Sequence, residues 1–368
     1  MRITEQSSRS PFRRARSVRS MILIGGLVGM LGVTAGAGSV YAQQGGFGPG
    51  RGAGAGARAG GPGARAGGPG ARAGGPGARA GGPGAGRGAA APAGPCENRT
   101  LTDVDTSASG PHEVVAEQRC DAGIEKGTIY RPADLGGEEK YAIFVWGNGG
   151  CSQNGLSNRA AMSEIASHGY FVMADGIPGP GGGGGGGMAQ GDMTPMGVPL
   201  IGYIDWAIAE NGDSSSEYYQ SMDTSKISSN GFSCGGLMAI GTVGDPRITT
   251  WGVTSSGMAR VDDSFYDLVH TPVLFVEGGP GDVAYEGGKT GYENISQLDV
   301  PVMWFDKDIG HGGDLGQANG GQFTKIILAW LNWWLKDDES ATGKGFLVGA
   351  DCPYCSDSTW EVKSANLP

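Results

Sequence analysis

Asn230-Gly231-Phe232-Ser233-Cys234-Gly235-Gly236 is the stretch from which the organisation of the chain is read. Its Gly231-x-Ser233-x-Gly235 spacing is that of a strand turning sharply into a helix. The glycines let neighbouring backbone close in on a serine held in strained geometry at the top of the turn. The flanks fit, because Asp223-Thr-Ser-Lys-Ile227 reads as the approach to a short strand and Leu237-Met-Ala-Ile240 as the first turns of a buried helix. In a chain with 73 glycines a five-residue pattern alone carries little weight. The flanking strand and helix lift it above chance.

Outward from this turn, strand-like and helix-like segments alternate. Tyr141-Ala-Ile-Phe-Val-Trp146, ended by Gly147-Asn-Gly-Gly150, and Tyr170-Phe-Val-Met-Ala174 are short continuous apolar runs of the kind expected of buried parallel strands. Between them residues 158–168 are helix-like, with Ala161, Ile165 and Ala166 on one face. Residues 200–209 are expected to be helical, and residues 250–254, 272–276 and 300–305 to be strands. The last helix is expected over residues 323–336, where Trp330, Trp333 and Trp334 share a face with Ile326 and Ile327 and read as core. This alternation predicts an α/β domain around a mainly parallel sheet, with chemistry at the carboxyl ends of the strands. The seven consecutive glycines at 181–187 cannot form a packed element and are expected to rim that site.

The first 95 residues differ in kind. Residues 1–42 carry six arginines and one acid, then an uncharged core from Met21 to Val33 and Val40-Tyr-Ala42, which reads as a secretory signal cleaved after Ala42. A retained anchor is disfavoured, because the strong apolar run would span only about 20 Å as helix against a hydrocarbon core of about 30 Å. Residues 43–95 are almost entirely Gly, Ala, Pro and Arg. With no large side chain to bury, this stretch is expected to be a disordered linker. From Cys96 onward, fifteen Lys and Arg stand against thirty-six Asp and Glu, a net charge of −21. Such a domain is a poor partner for nucleic acid or an anionic membrane, and export implies a secreted or periplasmic location.

A serine hydroxyl is a weak nucleophile and needs a base, which in turn needs an acid to fix its tautomer. Of four histidines, His112, His168 and His270 have ordinary surface or capping roles available, whereas His311 lies in the glycine-flanked loop Asp308-Ile-Gly-His311-Gly-Gly313 after the last expected strand. Chain order puts the acid between Ser233 and His311, and Asp282, just past the 272–276 strand, fits better than Glu277, Asp306 or Asp308. An oxyanion needs two preorganised N–H donors: Cys234 after the nucleophile, and either Gly150 or Cys151 from the loop after the early strand, of which we assign Cys151.

Gly231-Phe-Ser-Cys-Gly-Gly236, Ala166-Ser-His-Gly-Tyr-Phe-Val-Met-Ala-Asp175, Asp282-Val-Ala284 and Gly310-His311 together resemble the α/β-hydrolase superfamily. They are most similar to its branch of cutinase-like polyester hydrolases, chlorophyllases and dienelactone-hydrolase-like esterases. Over about residues 125–355 the resemblance implies an eight-stranded sheet flanked by helices and a Ser233–His311–Asp282 triad. It also implies an ester substrate, small or polymeric, and neither metal nor cofactor. Cys234 and the polyglycine run depart from the family pattern, so the substrate is not fixed by it. A peptidase or amidase on the same fold and a non-catalytic binding protein are the alternatives. Because Cys151 and Cys234 must both aim an amide at one oxyanion, they are expected to be linked, leaving Cys96–Cys120 and Cys352–Cys355 as local staples.

Overall fold

A computed structural model describes residues 96–179, 191 and 193–368. The expected signal (1–42), the expected linker (43–95) and the polyglycine run lie outside the described residues. Ten strands form one sheet: β1 (Arg99–Thr100), β2 (Val114–Gln118), β3 (Gly127–Pro132), β4 (Tyr141–Gly147), β5 (Tyr170–Asp175), β6 (Met222–Phe232), β7 (Thr250–Thr254), β8 (Val273–Glu277), β9 (Val302–Asp306) and β10 (Glu361–Ala365). Their order is β1-β2-β3-β5-β4-β6-β7-β8-β9-β10. The six from β5 to β9 are mutually parallel, whereas β1, β2 and β3 on one side and β10 on the other pair antiparallel.

The expected count of eight is therefore corrected to ten. The additions are the two-residue β1 and the edge strand β10, whose Glu361-Val-Lys-Ser-Ala365 is polar and half exposed. An edge strand with one solvated face lacks the continuous apolar run that marks the central strands.

Alternate side chains of each central strand feed opposite cores. Phe144, Trp146, Val172, Ala174, Leu274 and Val276 face the layer built by α1 (Arg159–Ser167) and α5 (Gly321–Lys336). Ile143, Val145, Phe171, Met173, Val273 and Phe275 face α2 (Thr194–Gly212), α3 (Cys234–Ile240) and α4 (Tyr285–Ile295). A strand buried on both faces must be apolar at every position, which is why these runs are continuous. Trp330, Trp333, Ile326 and Ile327 of the tryptophan stripe are buried as expected, whereas Trp334 is only partly buried and packs against the edge of that core.

β4 pairs with β5 on one side and β6 on the other, both parallel. The chain leaves β4 through α1 on one face and returns from β5 through α2 on the other. Connections that diverge in this way open a crevice at the carboxyl ends of β4 and β6. Gly147 of β4 sits opposite Gly231 of β6 at that edge.

Candidate active site

Ser233 is the hinge between β6 and α3, at φ 53° and ψ −121°. Three bonds hold it there: its N–H donates to the Thr254 carbonyl at 2.9 Å, and its carbonyl accepts from Gly236 N–H at 2.9 Å and from the Ser256 hydroxyl at 2.7 Å. The surrounding glycines are steric necessities. A Cβ on Gly231 would fall 2.1 Å from the Gly235 carbonyl oxygen, and one on Gly235 would fall 2.0 Å from the Gly147 carbonyl. Nothing larger lets α3 start so close to β4.

His311 follows β9 in a loop whose Gly310, Gly312 and Gly313 all have positive φ. The Ser255 hydroxyl accepts from Gly312 N–H at 2.9 Å, and Phe232 packs 5.0 Å from the imidazole centroid. His311 Nε2 lies 2.8 Å from Ser233 Oγ, and its Nδ1 lies 2.6 Å from Asp282 Oδ1. With Nδ1–H donating to the carboxylate, Nε2 is left as the acceptor of the serine proton. Asp282 Oδ1 also accepts from Ala284 N–H at 2.8 Å, and the carboxylate is wholly removed from solvent. The Asp282 and His311 loops are tied together where Gly310 N–H donates to the Gly278 carbonyl at 2.8 Å.

The other histidines have ordinary neighbours: His112 lies 3.3 Å from Asp134, His168 lies 3.3 Å from Glu164, and His270 Nδ1 lies 2.8 Å from the Leu268 carbonyl oxygen. None approaches the serine.

Cys151 closes the short turn Gly149–Cys151 after β4, and Cys234 is the first residue of α3, where no intrahelical carbonyl is available to its amide. The two are joined as a disulfide with Cα atoms 5.1 Å apart, and Cys96–Cys120 and Cys352–Cys355 are the other pairs. All three linkages match the pairings expected from the sequence. Asn148, fully buried, braces the turn by donating to the Asp175 and Asn154 carbonyls and accepting from the Trp146 indole.

Two concavities flank this disulfide. One, of about 310 Å³, contains Ser233 and His311 and is walled by Leu237, Ala259, Val283 and Ala284, with Arg260 in its lining. The other, of about 490 Å³, lies beyond Cys151 and is lined by Met196, Val198, Pro199, Tyr203 and Met238. The larger space is not the one that holds the serine, so the chemistry is located by the Ser233–His311 contact and not by volume.

Sequence reasoning missed Ser255, Ser256 and Asn148. Ser255 and Ser256 directly follow β7, at the sheet edge where functional groups collect. That placement is the one signal that could have singled them out. Among the described residues no cluster of His, Cys, Asp or Glu is arranged to hold a metal ion, and no helix is long and apolar enough to cross a membrane. No protein-family model matches the chain, and a search of curated proteins finds none similar to it.

Proposed function

We propose that the chain is a serine hydrolase of the α/β-hydrolase type that cleaves carboxylic esters through an acyl-enzyme. The observation that carries this reading is the continuous contact from Ser233 Oγ through His311 to the buried Asp282, at 2.8 and 2.6 Å.

In this mechanism Ser233 Oγ attacks the ester carbonyl carbon while His311 Nε2 takes the serine proton. Asp282 keeps the imidazole in the required tautomer and stabilises the imidazolium that forms. The negative charge on the carbonyl oxygen is met by the amides of Cys234 and Cys151. Collapse breaks the C–O bond, and the alcohol leaves with the proton from His311. Water, activated by the same imidazole, then attacks the acyl-enzyme and frees the acid and Ser233. No step calls for a metal or cofactor. A mixed polar and apolar concavity at Ser233 and a second, more apolar one across the Cys151–Cys234 disulfide suit the two halves of an ester, and the disulfides, together with the signal-like N-terminus, support an exported enzyme.

Labelling with a fluorophosphonate tests the reading. Ser233 is expected to be the only serine modified stoichiometrically, and Ser233→Ala to lose on the order of 10⁶ in kcat. Modification elsewhere, or unchanged turnover, would overturn it. A panel of p-nitrophenyl esters run beside peptide anilides separates an esterase from a peptidase.

A further inference from the structure

The histidine loop has little side-chain packing to hold it in place. Gly310, Gly312 and Gly313 all stand at positive φ and carry no side chain, so the position of His311 among them is set largely by hydrogen bonds to the loop backbone. Before His311, Gly310 N–H donates to the Gly278 carbonyl at 2.8 Å. After it, Gly312 N–H donates to the Ser255 hydroxyl at 2.9 Å, away from solvent.

Ser255 is itself in an uncommon conformation. Its φ is 43°, and of the non-glycine residues at positive φ among the described residues it is the one that is wholly buried. A serine holds such a backbone only where its surroundings over-determine it, and outliers of this kind gather at functional sites. Here the sheet does so: Ser255 N–H donates to the Val276 carbonyl at 2.8 Å and carries the β7–β8 pairing one residue past the end of β7. The next residue, Ser256, donates from its hydroxyl to the Ser233 carbonyl at 2.7 Å. Two adjacent residues therefore reach both partners of the 2.8 Å contact between His311 Nε2 and Ser233 Oγ, one through Gly312 and the other through the Ser233 carbonyl. Both also line the concavity that contains Ser233 and His311.

We propose that Ser255 and Ser256 are positioning residues that set the serine–histidine distance from a common anchor at the end of β7, Ser255 acting through the His311 loop and Ser256 through the Ser233 turn. This rests on the hydrolase reading for its purpose. The two contributions are unequal. Without Ser256 the Ser233 turn keeps its bonds to the Thr254 carbonyl and from Gly236 N–H. Without Ser255, Gly312 N–H has no other acceptor among the described residues and is left buried and unpaired.

Proton NMR of the resting protein, combined with kinetics, tests this. The His311 Nδ1 proton, held to Asp282 at 2.6 Å, is expected to give a low-field resonance, identified by its loss in His311→Ala. Ser255→Gly accepts the positive φ but removes the hydroxyl. It is expected to shift or broaden that resonance and to lose on the order of 10² in kcat toward a p-nitrophenyl ester with KM little changed, as for a catalytic group misplaced by about 1 Å. Ser256→Ala is expected to leave the resonance in place and to lose roughly tenfold in kcat, because His311 and Asp282 stay together while the turn of the nucleophile loosens. Wild-type kcat in Ser255→Gly, or a resonance disturbed as much by Ser256→Ala as by Ser255→Gly, would overturn the proposal. So would a fall in Tm with kcat and the resonance unchanged, which is the mark of a merely structural role. Should Ser255→Gly fail to fold, Ser255→Ala, which keeps every atom but the hydroxyl, decides on the same readouts. A failure of the hydrolase reading would be seen separately, as turnover that does not depend on Ser233, because the resonance is measured without substrate.

Discussion

Ser233 is a non-glycine residue at positive φ, and such a conformation costs about 1–3 kcal/mol. The strain is tolerated because the bonds from Thr254, Gly236 and Ser256 over-determine the turn. Ser233→Gly is therefore expected to gain about 1 kcal/mol of stability while abolishing turnover; a Gly variant less stable than Ser233→Ala in urea unfolding would show that the turn stores no strain. A second residue-level expectation concerns pH. Asp306 is raised from 3.8 to about 6, by burial above all, although Gly279 N–H donates to its Oδ1 at 2.7 Å. The folded state thus binds a proton more tightly than the unfolded chain, so this group's stabilising contribution is complete below about pH 4 and is lost as pH rises through 6. Asp306→Asn, which keeps an acceptor for Gly279, is expected to gain in Tm relative to the wild type as pH rises over that interval. A constant difference would disprove the shift. Ser233, Asp282 and His311 were legible in the sequence because each follows a recognisable strand. Ser255 and Ser256 were not, since their contacts arise where the loop after β7 meets the Ser233 turn and the His311 loop, and no spacing along the chain encodes that meeting.

At the scale of elements, the Cys151–Cys234 disulfide joins the turn after β4 to the first turn of α3. These are the two elements that carry the proposed oxyanion donors. Its removal is expected to act on the transition state: Cys151→Ala combined with Cys234→Ala should lower kcat by up to about 10²–10³, the cost of one lost donor, and raise KM much less. A double variant whose KM rises while kcat holds would mean that the bond shapes substrate binding and not the oxyanion site. The disulfide could be foreseen because both cysteines flank motifs that the fold must bring together. α4 could not, because Tyr285–Ile295 contains three glycines and its inward face carries only Tyr285, Tyr292 and Ile295 as large side chains. Those glycines are set by packing: a Cβ on Gly291 would meet Met258 at 2.6 Å and Phe275 at 2.9 Å, and Gly257 already lies against the Gly287–Gly288 backbone. Close approach, invisible to helix propensity, overrides it there.

For the molecule as a whole, residues 96–368 contain both core layers, all three disulfides and every residue of the proposed site. A net charge of −21 on this part opposes compaction by self-repulsion, yet the arginine-bearing stretch 43–95 supplies only six positive charges, spread singly along its length. Single charges so spaced make a weak electrostatic footprint at physiological salt, where the Debye length is about 8 Å. A chain beginning at Cys96 is accordingly expected to match one beginning at Gln43 in kcat and KM toward a soluble neutral ester. It is also expected to unfold at the same temperature. A fall of more than about 2 °C, roughly what 1 kcal/mol would bring about in a domain of this size, would show that residues 43–95 pack on the folded part. Any advantage of the longer chain should be confined to anionic or particulate substrates and should vanish as salt is raised, because only attraction between the arginines and such a surface distinguishes the two chains. An advantage that persists in high salt would assign the stretch a role other than electrostatic attraction.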